Sequence, residues 1–161
     1  MTWFFHCKDY KMITLCTIEE KDRALSYLES RFGIEPSLFS DYEFYISQKD
    51  RVHICQKKEI KGVKPIACGM LIVRIRGMIK PSTNLFQLFG DKITKNIVNV
   101  SKEEVISFIG GKDLPYIIGN NKVTDGFVLV RYLDFNIGCG LLSRGNIKNM
   151  VPAVKKLEIK Y

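Results

Sequence analysis

Ile-Lys-Pro-Ser-Thr-Asn-Leu-Phe-Gln-Leu-Phe-Gly (79–90) holds the end of an extended piece, a helix start and a helix stop in one short stretch. Pro81 removes the α region from the residue before it, so 79–81 runs extended. Ser82 or Thr83 then offers the oxygen that caps a helix, and Gly90 closes that helix two turns later. The spacing predicts Leu85, Leu88 and Phe89 inward, while Asn84 and Gln87 cannot share that face.

Downstream, 98–100 reads as a strand. Ser101 with Glu104 forms a capping box, opening a helix that buries Val105, Phe108 and Ile109 and stops at Gly110-Gly111. Residues 119–121 read as a turn. Strands are predicted over 127–133 and 135–142 around Asp134. Gly138 and Gly140 mark the second of them for a bulge or the close approach of another backbone. Residues 146–152 read as a loop and 154–159 as a last strand.

Upstream, Thr17 and Glu20 form another capping box, and Ile18, Leu25, Leu28 and Phe32 lie along one helical stripe. Gly33 suits the left-handed position after that helix, Pro36 prevents its continuation, and 32–39 reads as a turn leading into one short helical turn. Tyr42, Phe44 and Ile46 alternate with polar neighbours, as do Val52 and Ile54, and 47–50 turns the chain between them into a hairpin. The basic stretch 56–64 reads as an exposed loop. Leu71, Val73 and Ile75 then form a third strand, whose alternation turns Arg74 and Arg76 away from the aliphatic row. It ends at Gly77.

These elements predict an α+β fold in two parts. Residues 1–76 supply a helix with antiparallel strands, and 77–161 a mixed β pseudobarrel with short helices. With no Ser/Gly-rich linker between them, the parts are expected to share an interface and unfold together.

At 46% hydrophobic and 26% charged residues the 161-residue chain has a globular composition, not a disordered one. Its apolar runs fall far short of a membrane span, and the N-terminus has no signal-peptide pattern, so the expected address is the cytoplasm, away from any membrane. Five cysteines (Cys7, Cys16, Cys55, Cys68, Cys139) are scattered without a C-x-x-C pair. They and the two histidines predict no metal site, and the thiols read as small hydrophobes in a reducing compartment. Trp3 is expected to pack against the first helix.

The net charge is +8. There are 13 Lys and Arg against 10 Asp and Glu up to Arg76, and 12 against 7 after it. A basic balance favours polyanions, although lysine is also an ordinary surface residue. No P-loop, nucleophile elbow or H-E-x-x-H occurs, and Gly138-Cys139-Gly140 lacks the third glycine of a dinucleotide fingerprint. Glu19-Glu20 and Glu103-Glu104 sit in helix first turns, where they complement the dipole. The expectation is therefore of no catalytic residues and no cofactor.

What remains is a set of cations beside turns: Lys80, Lys92, Lys95, Arg131, Arg144, Lys148, Lys155 and Lys156. Lys92 and Lys95 also suit the end of a helix dipole, and Arg131 also reads as an outward barrel residue. Asn146 and Asn149 flank Lys148 and can donate to phosphates or base edges. Phe86 and Tyr132 could stack on bases, though their periodicity also fits a core.

Residues 79–90 and 94–104, then Gly-Phe-Val-Leu-Val-Arg-Tyr (126–132), Ile-Gly-Cys-Gly-Leu-Leu (137–142) and Asn-Ile-Lys-Asn-Met-Val-Pro (146–152), form an ordered set. This set resembles the PUA-like tail of Sun/Fmu-type RNA cytosine-5 methyltransferases. The two-part plan is similar to that of small ribosome-biogenesis factors with a pre-PUA half and a PUA half. The resemblance covers 77–152 well and 1–76 only approximately. It implies RNA held against the first helix of the pseudobarrel and the neighbouring strands. Its binding residues would be Lys80, Asn84, Gln87, Lys92, Lys95 and Lys148, with Gly138 and Gly140 letting a backbone come close; the loop-flanking Arg131 and Arg144 complete the candidate surface. The methyltransferase catalytic domain has no counterpart here, so any chemistry would belong to a partner. The expected role is a non-catalytic adaptor for rRNA or tRNA in ribosome biogenesis or RNA modification. The alternative is a protein-interaction subunit docking on an RNA methyltransferase or ribosome-assembly factor.

Overall fold

The computed structural model describes residues 13–57, 69–116 and 123–152. Among them the chain runs β1 (Thr14–Leu15), α1 (Ile18–Phe32), a 3-10 turn (Pro36–Phe39), β2 (Tyr42–Ser47), β3 (Arg51–Gln56), β4 (Met70–Arg74) and β5 (Lys80–Pro81). Then follow α2 (Thr83–Phe89), a 3-10 turn (Gly90–Lys92), β6 (Ile97–Asn99), α3 (Lys102–Ile109), β7 (Leu114–Pro115), β8 (Gly126–Tyr132), β9 (Phe135–Ser143) and β10 (Asn146–Asn149). The expectations for Trp3, most of the loop over 56–64, the turn at 119–121 and the strand at 154–159 fall outside the described residues.

The fold is α+β with two five-stranded sheets, ordered β1-β2-β3-β4-β5 and β6-β8-β9-β10-β7. The first is antiparallel throughout. In the second, β6 runs parallel to β8 and the remaining pairs are antiparallel, which makes it the mixed sheet expected of a pseudobarrel.

Local signals set the helix ends. Thr17 and Glu20 close both bonds of the capping box on α1, and Gly33 takes the left-handed conformation at φ 67° after it. Ser101 and Glu104 repeat the box on α3. On α1 the buried stripe is Ala24, Leu28 and Phe32, with Leu25 half-buried, whereas Ile18 is 82% exposed. Ile18 is the first residue of the helix, before any buried position of that stripe. Lys21 lies over the Phe44 ring, 5.2 Å from its centroid.

On α2 the inward residues are Leu85, Phe86 and Phe89, and Leu88 is 48% exposed. Phe86 therefore belongs to the core, edge-on to Phe32 at 5.3 Å. In β4 the expected alternation is interrupted by a register shift opposite Val52 and His53. That bulge carries both Ile72 and Val73 into the interior, where each is fully buried, and leaves Arg74 exposed. The expected loop after 145 is in fact β10, paired with β9 through 149.

One core joins α1, the first sheet and α2 to Phe127, Leu129 and Cys139 of the second sheet. A second gathers Val98, Phe108, Leu114, Val128, Val130, Leu142 and Ile147. Successive residues of β8 thus enter opposite cores, which is why Phe-Val-Leu-Val (127–130) reads as an unbroken apolar run. β5 lies beyond Gly77 yet pairs with β4, and Ser82 N–H donates to the Ile72 carbonyl at 2.8 Å.

Candidate nucleic-acid interface

The chain enters α2 along the edge of β4. Ser82 Oγ donates to the Leu71 carbonyl at 2.6 Å and accepts the Leu85 N–H at 3.3 Å, and Asn84 Nδ2 also donates to Leu71 at 3.4 Å. This anchoring opens a groove of about 330 Å³ whose walls include Leu71, Arg74, Lys80, Asn84 and Met150. Lys80 and Asn84, both expected at the site, are brought together there, and Arg74 of the first half joins them. A shallower bay of about 590 Å³, walled by Tyr42, His53, Met70 and Leu88, shares Leu71 and Asn84 with the groove. Gln87 is exposed on α2 and lines neither of them.

The other expected residues lie elsewhere. Lys92 and Lys95 are exposed beyond α2, on a segment whose Thr94 and Lys95 N–H groups both donate to the Phe32 carbonyl. Arg131 is a strut: its guanidinium donates to the Gly90 carbonyl at 2.7 Å and to Asn136 Oδ1 at 3.1 Å. Asn136 in turn donates to Asp91 at 2.8 Å, so β8, β9 and the turn after α2 are locked together. Arg144 sits in the β9–β10 turn at φ 50°, exposed, and Lys148 is exposed on β10 opposite Leu141.

Gly138 and Gly140 are buried, and side chains, not another backbone, fill the space beside them. A Cβ at Gly140 would stand 2.4 Å from Ile147 Cγ2, and one at Gly138 2.8 Å from Val151 Cγ2. Asn149, read as a donor to RNA, is committed to the fold. Its amide donates to the Phe108 and Lys112 carbonyls at the end of α3, its Oδ1 accepts the Val151 N–H, and its own N–H donates to Asp113. Tyr132 is half-exposed at the end of β8.

Burial pushes the Cys16 thiol up to about 11 and the Cys139 thiol up to about 12, so both are protonated at neutral pH. His53 Nε2 lies 3.0 Å from Ser47 Oγ, and its pKa is lowered by burial first and then by Arg51. Among the described residues no carboxylate bonds its other ring nitrogen, and no three His, Cys, Asp or Glu side chains gather as metal ligands. No helix among them is long and apolar enough to cross a membrane.

No curated protein matches the chain. Residues 95–154 match the family model of the methyltransferase RsmF PUA domain. The match begins at Lys95, takes in β6 to β10 and α3, and contains Arg131, Gly138, Gly140, Arg144 and Lys148. Lys80, Asn84, Gln87 and Lys92 precede it. The mixed sheet agrees with this match: residues 95–154 carry a PUA-like domain similar to that of the Sun/Fmu-type RNA methyltransferases.

Proposed function

We propose that this chain is a non-catalytic, cytoplasmic RNA-binding protein that acts on rRNA or tRNA in ribosome biogenesis or RNA modification. The observation that carries this reading is the PUA-like domain over 95–154 with a groove beside it, walled by Arg74 and Lys80 on one side and by Met150 of the domain on the other. A PUA domain brings RNA binding; Arg74, Lys80 and Asn84 offer cations for phosphates and an amide for a base edge.

A second reading, a subunit docking on an RNA methyltransferase or assembly factor, is favoured by the β8–β9 hairpin tip. There Leu133 is 69% and Phe135 67% exposed, two large apolar side chains at one hairpin turn. RNA affinity measured across a salt series separates the two readings. The first requires log affinity to fall linearly with log salt, with several phosphates neutralised. An absence of RNA binding at low salt, together with loss of a methyltransferase complex in Leu133→Ser/Phe135→Ser, would establish the second.

A further inference from the structure

Arg51 of β3 stands directly opposite Arg74 of β4, and Arg74 stands directly opposite Lys80 of β5. Directly opposed residues of antiparallel strands project from the same face, so the three cations form one row across the sheet. The adjacent row confirms the orientation: Val52, Val73 and Pro81 are cross-strand partners in the same order, and all three are buried. The cationic row is thus on the face turned away from the core.

Like charges set opposite one another on a sheet destabilise it. Nothing among the described residues relieves this row. The ion pair there is Arg76 with Asp50 at 4.0 Å, and neither belongs to it. Arg51 Nε is buried without a hydrogen-bond partner, so its desolvation is left uncompensated. Three unneutralised cations over two strand spacings, about 10 Å, present a line of charge. Beside this row, His53 and Leu71 are also cross-strand partners and half-exposed, giving an imidazole ring and an aliphatic surface next to the cations.

We propose that this outer face of the first sheet binds an unpaired RNA strand, with Arg51, Arg74 and Lys80 holding its backbone phosphates and His53 offering a ring to a base. The inference rests on the RNA-binding reading but assigns the contact to a surface outside the PUA-like segment, continuous through Arg74 and Lys80 with the groove. A line of charge on an open sheet fits one strand, whose bases are free to stack. A duplex encloses its bases and is read by shape.

The test uses the whole chain and a labelled single-stranded RNA 12-mer of mixed sequence, with a duplex of the same length for comparison. Arg74→Gln and Lys80→Gln are each expected to lower the slope of log affinity against log salt by about 0.7 on the single strand. Arg74→Glu lowers it further. Because the row is self-repelling, Arg74→Gln is also expected to leave the melting temperature unchanged or raised at low salt, so the affinity loss is not unfolding. His53→Ala is expected to weaken binding of the 12-mer more than binding of the same strand made abasic. If Arg74→Gln and Lys80→Gln keep the wild-type slope while Lys92, Lys95 and Lys148 variants lose it, the sheet-face proposal is overturned and RNA binding stands. Stronger binding of the duplex, lowered equally by Arg74→Gln, overturns the single-strand assignment. No binding of either RNA by the wild type overturns the RNA-binding reading itself.

Discussion

Arg31 Nε donates to the Phe127 carbonyl at 2.7 Å, tying the last turn of α1 to the start of β8. The same guanidinium reaches Thr124 Oγ1 at 2.7 Å and the Thr124 carbonyl at 2.8 Å. Asn96 completes the joint, its amide donating to the Arg31 carbonyl at 2.7 Å and its oxygen accepting the Thr124 N–H at 3.0 Å. With the core that α1 and β8 share, this joint argues that the two parts of the chain unfold as one. Calorimetry is expected to give a single transition. Arg31→Ala, which leaves the Phe127 carbonyl without its charged donor, should cost about 2–4 kcal/mol and lower that one transition without splitting it. Two transitions in the wild type, each reproduced by one isolated part, would refute the shared unfolding.

Gly140 admits Ile147 where a methyl group would collide with it, and Val128 and Val130 close the other sides at 3.3 and 3.4 Å. Gly140→Ala is therefore expected to destabilise by about 1–3 kcal/mol through overpacking. The double change Gly140→Ala/Ile147→Leu, which removes the colliding Cγ2 methyl while keeping the side-chain volume, should recover part of that loss. Denaturant midpoints of the wild type and the two variants check the prediction, and a fully stable single mutant would contradict it.

Burial, reinforced by Arg51, holds the His53 imidazole below its ordinary value of 6.5. The unfolded chain therefore takes up a proton near pH 6.5 that the native state still refuses. The contribution of His53 to stability is complete above about pH 6.5 and is lost as the pH falls toward the lower native value. Urea midpoints between about pH 7.5 and pH 5 should fall on acidification, and His53→Gln should flatten that slope. An equal slope in the variant would show that other groups cause it.

Features governed by near neighbours in the chain are legible in the sequence itself. The capping boxes Thr17–Glu20 and Ser101–Glu104, the left-handed Gly33 and the Ser82 cap each depend on a few consecutive residues. The burial of Ile72 is not legible in that way, because the bulge that causes it is set by pairing with another strand. Asn149 reads as a binding residue beside Lys148, and only the return of β10 along α3 reveals its bonds to Phe108 and Lys112. The alternation in β4 does turn Arg74 outward. Its alignment with Arg51 and Lys80 depends on strand order and register, which no short-range pattern carries.

Lys92, Lys95 and Lys148 are exposed, and among the described residues none of them forms an ion pair, so the PUA-side contribution to RNA binding is separable from stability. Replacing all three with Ala should weaken binding across many sequences and reduce the salt slope by about 0.7 for each single-strand phosphate that is no longer neutralised. The melting temperature should stay within a degree or two, because exposed lysines contribute little to folding. Lys102, exposed in the first turn of α3, is the control and should change neither quantity. Lys21 would be a poor control, since its ammonium packs over Phe44. Asn84 should behave differently: its amide lines the groove, so Asn84→Ala should alter the preference between unpaired sequences more than the salt slope. The adjacent Lys80→Ala supplies the contrast, a lower slope with preference retained. If the triple variant keeps full affinity while Lys102→Ala loses it, RNA lies against the first turn of α3 and the assignment of Lys92, Lys95 and Lys148 is wrong.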